Sequence, residues 1–251
     1  MDRGIRVRDI LSDSWNLAKD NFWILIGFTV IQFVSLLVIG AVVGILFGDA
    51  STFGLVLITL FDAFFTVAFY QVFFKLIDQP EDSEFPDFMP NVVKALNFLL
   101  VKLVVGLGLA FASAILINLY DAVFAPDIQI DEKNPFIWEL LPVYIFAAVG
   151  ITFVAIRTSF VTCFIVDQES GSSEAISQSW ALTKGHFWFV FVLYLCMLGF
   201  NILGAMVVFV GLLFTVPFSS IILIIAYRHL VNRYIDEEEI LIEAVEKNDG
   251  N

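Results

Sequence analysis

Long stretches of this chain contain no charged residue. The first runs from Phe22 to Phe47, and the longest runs from Phe187 to Tyr227. A helix needs about 20 apolar residues to cross the hydrocarbon core of a bilayer. The first stretch therefore predicts one crossing, and the second predicts two that are joined by a turn at Gly211. With the apolar stretches between them, we predict six spans, at about residues 22–47, 53–76, 95–119, 140–166, 187–208 and 213–232.

The composition agrees with lipid as the solvent. Of the 251 residues, 59% are hydrophobic and 16% are charged, whereas soluble domains contain about 25% charged residues. Only helices and closed barrels satisfy every backbone hydrogen bond in lipid, and continuous apolar stretches favour helices over alternating barrel strands. We therefore predict an all-α polytopic membrane protein in which residues 1–235 form a single six-helix domain.

Lys and Arg residues predict the orientation of the spans. They precede the first span, surround the second connection, lie in the fourth connection and follow the last span, whereas Lys133 lies on the other side. Positive residues are retained on the cytoplasmic side of a membrane. We therefore expect a multi-pass protein of the inner (plasma) membrane with both termini in the cytoplasm.

Acidic residues give the chain its formal net charge of −13 and are concentrated at 78–87, 121–139 and 236–249. A surface of this sign disfavours nucleic acid as a partner and disfavours a polybasic contact with anionic headgroups. Residues 236–251 form an acidic tail, which we expect to continue the last helix into the cytoplasm. The alternative role for the tail is a docking site for a basic partner.

Two nearly identical segments precede the first and fifth spans, SWNLAKDNFW at Ser14–Trp23 and SWALTKGHFW at Ser179–Trp188. On a helix, the apolar residues of each copy and of the residues before it share one face. This pattern predicts amphipathic helices at about residues 5–20 and 173–185 that lie in the cytoplasmic headgroup layer. The expected interfacial anchors are Trp15, Trp23, Trp180, His186 and Trp188.

A third, weaker copy is FPDFMPNVVKALNF at Phe85–Phe98, which predicts an interfacial helix at about residues 85–96. The ends of the second and fourth spans also match, since each carries an Asp-Gln pair that begins at Asp78 or Asp167. We therefore expect three repeated units, each an interfacial helix followed by a helical hairpin. The alternative is that the membrane interface selects similar residues independently each time.

The stretch FIVDQESGSSEAISQSWALTKGHFWFV, with VGLLFTVPFSSIILIIAYRHL further on, resembles the membrane domain of glycerophosphodiester phosphodiesterases and of related six-span bacterial membrane proteins. The resemblance covers Phe164–Leu230 and is faint elsewhere. It implies a membrane domain without chemistry of its own, because in such phosphodiesterases the catalysis belongs to a separate soluble barrel.

Ionisable residues inside the predicted spans are the sharpest candidates for a function, and Asn201 adds an uncharged polar group. A charge at the bilayer centre costs about 2.5–3.5 kcal/mol on insertion scales, so it should face the bundle and find a partner. Asp62 and Arg157 are expected either to pair and hold the second and fourth spans together, or to line a polar pathway. Lys102 lies close enough to the cytoplasmic face to extend its ammonium towards water.

The remaining sequence features are a motif of small residues and the lack of familiar catalytic motifs. Gly40 and Gly44 form a G-x-x-x-G motif, which predicts close helix packing. The sequence contains no H-E-x-x-H, G-x-S-x-G or P-loop motif, so we expect neither a metal nor a cofactor.

These features favour a non-catalytic integral membrane protein, a lipid-engaging or scaffold module of the inner membrane. Membrane lipids are the expected partner, and another membrane protein is a further candidate. The alternative is a small transporter or channel that uses Asp62 and Arg157. A membrane enzyme ranks third, with the carboxylates of Asp78 and Asp167 as its only candidates.

Overall fold

The computed structural model describes residues 6–47, 52–78, 91–124, 141–207 and 211–249. All the regular secondary structure in these residues is helical. The helices are α1 (Val7–Asp20), α2 (Phe22–Phe47), α3 (Thr52–Asp78), α4 (Val92–Phe124), α5 (Leu141–Arg157), α6 (Val161–Asp167), α7 (Ser172–Lys184), α8 (Phe187–Met206) and α9 (Leu212–Asp249).

Six helical segments are long and apolar enough to cross a membrane. They are Phe22–Phe47, Thr52–Asp78, Val92–Leu119, Leu141–Asp167, Phe187–Met206 and Leu212–Arg233. Such segments form helices because a helix satisfies every backbone group internally, which lipid cannot do. The prediction of an all-α protein with six spans is therefore confirmed.

The second, fourth and sixth spans lie at the centre of the bundle. In the fourth and sixth spans, 50% of the most apolar 18 residues are buried inside the protein, compared with 6% in the first and third spans. α3 packs against α6 and α9, and the rings of Phe160 and Phe164 lie 6.3 and 5.0 Å from that of Tyr227. The returning helix of each hairpin therefore supplies most of the core.

Burial also divides the bundle along its length. On α3 most residues from Ala63 to Phe74 are buried or half-buried. On α4 the buried residues lie in the first turns and end at Val101, whereas along α5 and α6 they begin at Ile156. We call the half that contains these buried residues, together with α1, α6 and α7, the proximal half. The other half is the distal half, and its large apolar side chains are mostly exposed. In a bilayer those side chains contact acyl chains.

The fourth span is divided into two helices, which differs from the continuous span predicted at 140–166. α5 ends at Arg157 and α6 begins at Val161. Ser179 of α7 stabilises the break, because its hydroxyl donates to the Arg157 carbonyl (2.8 Å) and accepts from the Phe160 N–H (3.2 Å). No Gly or Pro marks this break, so the span itself carries no sequence signal for it.

Close packing of small residues occurs at Gly204 and Gly211. A Cβ on Gly211 would lie 2.5 Å from the Gly204 carbonyl oxygen, so glycine is needed where α8 and α9 meet. The turn predicted at Gly211 directly precedes α9. No atom of the described residues lies within 4 Å of a Cβ built on Gly40, and close helix packing there stays a prediction. The prediction for Gly44 stays a prediction.

α1 and α7 are helices at the two positions that the repeated segment predicted. α1 buries Ile10, Ser14 and Ala18 on one face and packs against α9, whereas α7 packs against α6. Residues 85–90 of the third copy and Lys133 of the distal connection lie outside the described residues. The three complete units and the orientation of the spans therefore stay predictions. The backbone of α9 continues as a helix to Asp249, through most of the acidic tail.

Candidate functional site

Asp62 of α3 forms an ion pair with Lys102 of α4. Gln32 of α2 donates a hydrogen bond from Nε2 to Asp62 Oδ1 (3.4 Å). The Lys102 ammonium also lies 4.9 Å from the centre of the Phe98 ring, within range of a cation–π interaction. The pair thus joins three spans where the proximal and distal halves meet.

The expected contact between Asp62 and Arg157 is not present. Asp62 bonds to Lys102 and Gln32, whereas Arg157 contacts residues of α5, α7 and α8. Counting residues along a span estimates the depth of a side chain but not the face on which it lies. Lys102, expected to extend towards water, instead turns its ammonium to the carboxylate, since a paired charge costs less in hydrocarbon than an isolated one.

Arg157 ends α5 beside a group of aromatic rings. Its guanidinium carbon lies 5.2 Å from the ring centres of Phe153 and Trp180 and 5.6 Å from that of Phe187. Nη1 donates one long hydrogen bond, of 3.4 Å, to Thr183 Oγ1, and Nε is buried without a hydrogen-bond partner. Within the described part of the chain, no carboxylate lies at ion-pair distance from Arg157.

Arg228 of α9 joins the ends of the two other central spans. Its Nη2 lies 2.6 Å from Asp78 Oδ2 and 3.0 Å from Asp167 Oδ1. The Tyr227 hydroxyl donates to Asp167 Oδ2 (2.8 Å), and the guanidinium lies 4.8 Å from the Phe74 ring centre. The two repeated aspartates therefore share one arginine, which sequence reasoning missed. The available signal was a basic residue near the end of the sixth span.

Two further contacts between ionisable side chains tie the proximal helices together. His229 lies 3.1 Å from Asp13 and connects α9 with α1. Lys94 of α4 donates to the Val166 carbonyl at the end of α6 (2.8 Å) and lies 3.1 Å from Glu169. The described residues include no group of three His, Cys, Asp or Glu side chains that could hold a metal ion.

The four tryptophans that the structure describes lie in α1, α7 and the first turns of α2 and α8. Their exposed fractions are 51% for Trp15, 82% for Trp23, 43% for Trp180 and 74% for Trp188. His186, the remaining predicted anchor, precedes α8 with its Nδ1 3.3 Å from the Leu182 carbonyl oxygen.

Asn201 connects α8 with α9. Its Nδ2 donates to the Ser219 hydroxyl (3.0 Å) and to the Met197 carbonyl (2.9 Å). This polar residue therefore lies in a hairpin contact, separate from both Asp62 and Arg157.

Ser14 and Ser179 occupy equivalent positions of the repeated segment, but we expect different effects when each is replaced by alanine. Ser179→Ala removes the partner of the Phe160 N–H and of the Arg157 carbonyl, and an unsatisfied buried group costs about 1–3 kcal/mol. The Ser14 hydroxyl is buried with no hydrogen-bond partner, so Ser14→Ala is expected to leave stability unchanged or slightly raised. Thermal unfolding of both variants in the same detergent measures the difference. Equal effects would contradict the role of Ser179 at the break.

No curated protein and no solved structure matches the chain. None of the comparisons links it to the glycerophosphodiester phosphodiesterases, so that resemblance stays a prediction. One family model matches residues 6–234, which is most of the chain. The protein belongs to the family described as "Protein of unknown function (DUF975)".

Proposed function

We propose that this protein is a non-catalytic integral membrane protein that engages phospholipid headgroups through α1, α7 and the first turns of α2 and α8. In this proposal the protein lies in the inner (plasma) membrane with both termini in the cytoplasm, as the distribution of Lys and Arg predicts. Catalysis is left out because the only carboxylates considered for it, Asp78 and Asp167, both pair with Arg228.

The exposed tryptophans carry this proposal. Trp15 keeps one side against Phe214 and Phe218 (6.0 Å each), and Trp180 keeps one side against Phe153 (5.9 Å). The remaining indole surface is open. Indole rings with an apolar body and a polar N–H are most favourable at the level of lipid headgroups. Their position supports contact with the headgroup layer.

The transporter alternative required Asp62 and Arg157 in one pathway. Asp62 pairs with Lys102, and Arg157 lies in a separate aromatic cluster. Within the described helices, the break between α5 and α6 resembles a transporter, since transporters interrupt helices at substrate sites. Ser179 already occupies the free backbone groups of the break, so we favour lipid engagement.

Lipid titration of delipidated protein tests the proposal. We expect phospholipid to copurify with the protein, and we expect readdition of phosphatidylglycerol to raise the melting temperature. A ligand present at 100 times its Kd stabilises a folded protein by about 2.7 kcal/mol. The double variant Trp15→Ala, Trp180→Ala should weaken this response. Phe111→Ala should weaken it less, because Phe111 is an exposed ring of the distal half that has no polar N–H for the headgroup layer.

Two results would overturn the proposal. One is a protein that purifies free of lipid and whose melting temperature does not respond to added phospholipid. The other is ion flux in proteoliposomes that disappears in Lys102→Met while the fold persists, which would favour the transporter.

A further inference from the structure

We propose that Arg157 binds the phosphate group of an anionic phospholipid. This inference rests on the proposed function and names the chemical group and the residue that recognise the lipid. Its starting point is a comparison of two arginines in the proximal half: Arg228 has two carboxylate partners, and Arg157 has none among the described residues.

The hydrogen-bonding groups of Arg157 are largely unused. A guanidinium carries five N–H donors in one plane, and the described contacts of Arg157 use one of them, in a bond of 3.4 Å. Phe153, Trp180 and Phe187 lie 5.2–5.6 Å from the guanidinium carbon. Cation–π contact satisfies the faces of a guanidinium but not the N–H groups at its edge. The edge therefore requires an acceptor.

The surrounding rings make that acceptor an anion. Arg157 is half-buried, so part of its guanidinium is removed from water. Removing a cation from water without a counter-ion is costly, and the cost falls when an anion pairs with it. A phosphate accepts two parallel hydrogen bonds from a guanidinium, a geometry that suits the fork of arginine better than the point charge of lysine.

The position of Arg157 identifies lipid as the source of the phosphate. Apolar side chains of α5 are exposed as far as Phe153, and burial begins at Ile156. Arg157 packs against Trp180 of α7 and against Phe187, the first residue of α8. Trp180 and Trp188, both partly exposed, lie in the adjoining helices. In a bilayer the most abundant anion at the level of such indoles is the headgroup phosphate.

A second cation lies close by in the sequence. Lys184 is exposed and directly follows Thr183, the residue that bonds to Arg157. An exposed ammonium at this end of α7 favours a lipid with net negative charge over a zwitterionic one.

The test is a titration of delipidated protein by native mass spectrometry, with phosphatidylglycerol, diacylglycerol of the same acyl chains, and inorganic phosphate as separate probes. We expect wild-type protein to bind phosphatidylglycerol at least tenfold more tightly than diacylglycerol. Arg157→Gln should lower the affinity for phosphatidylglycerol at least tenfold and leave that for diacylglycerol unchanged. Arg8→Gln is the matched control, since Arg8 is an exposed arginine of α1, and it should change neither affinity.

Arg157→Lys keeps the inference testable if the Gln variant does not fold. It retains the cation without the planar fork, and it should bind phosphatidylglycerol several-fold more weakly than wild type does but more tightly than diacylglycerol. An affinity for phosphatidylglycerol equal to that of wild type would overturn the inference. Inorganic phosphate should not compete with phosphatidylglycerol. Competition that depends on Arg157 would identify soluble phosphate as the ligand and overturn the assignment to lipid.

The possible failures are distinguishable. If wild type and Arg157→Gln bind phosphatidylglycerol equally, the inference is wrong and the proposed function stands. If wild type binds no phospholipid at all, both are wrong.

Discussion

Replacing Arg228 with methionine is expected to lower the free energy of unfolding by about 3 kcal/mol. The change removes the cation shared by Asp78 and Asp167 and leaves two like charges close together. Breaking a buried ion pair by deleting one partner costs about 3–5 kcal/mol. We expect the low end of this range because the side chain of Asp78 is 52% exposed. Unfolding of the purified protein in mixed detergent micelles measures the loss.

Two further variants separate this effect from a general loss of charge. Glu169→Gln removes one partner of Lys94, but Glu169 is 76% exposed, and exposed ion pairs contribute about 1 kcal/mol or less. Its stability should therefore remain close to that of wild type. Adding Asp167→Asn to Arg228→Met should recover part of the lost stability, because it removes one of the two unpaired carboxylates. The asparagine side chain can still accept a hydrogen bond from the Tyr227 hydroxyl. Wild-type stability in Arg228→Met would show that the arginine does not hold the central spans together.

Single substitutions of Asp62 or Lys102 are expected to destabilise the protein, whereas the double substitution restores most of the stability. Each single change leaves one charge among apolar side chains, which costs about 2.5–3.5 kcal/mol near the bilayer centre. Lys102→Met should cost more than Asp62→Asn. The stranded lysine can extend its long side chain towards the proximal half, whereas the short carboxylate cannot.

A double-mutant cycle measures this coupling directly. We expect a coupling energy of about 2 kcal/mol between Asp62→Asn and Lys102→Met, because each single change leaves an unpaired charge that the double change removes. Thr59→Val is the control on the same helix, because the Thr59 hydroxyl bonds only to the Leu55 carbonyl of its own helix and is exposed. Additive effects of the two single changes would show that the ion pair does not contribute to folding.

The number of spans and the two helices of the repeated segment could be predicted from the sequence because they depend on local composition. An uncharged stretch such as Phe22–Phe47 is long enough to cross a bilayer wherever its neighbours lie. The two similar decapeptides begin within α1 and α7, where the sequence predicts helices.

The partners of the polar side chains could not be predicted in the same way. The spans are apolar on every side, so their sequences do not indicate which face meets which neighbour. Asp62 pairs with Lys102 because α3 and α4 are adjacent, and Arg228 meets two aspartates because α3, α6 and α9 converge. The break at Arg157 depends on Ser179, a residue of another helix. These features are properties of the assembled bundle.

The packing of α1 against α9 has a consequence for biosynthesis. α1 buries Ile10, Ser14 and Ala18 and packs against α9, which begins at Leu212, so α1 is synthesised about 200 residues before the helix that covers it. At about 5–20 residues per second, the delay is on the order of ten to forty seconds. Throughout that interval the nascent amino-terminal segment is without its permanent neighbour, and a chaperone or the bilayer surface has to shield it. A nascent chain that stalls before Leu212 therefore presents this segment to quality-control proteases.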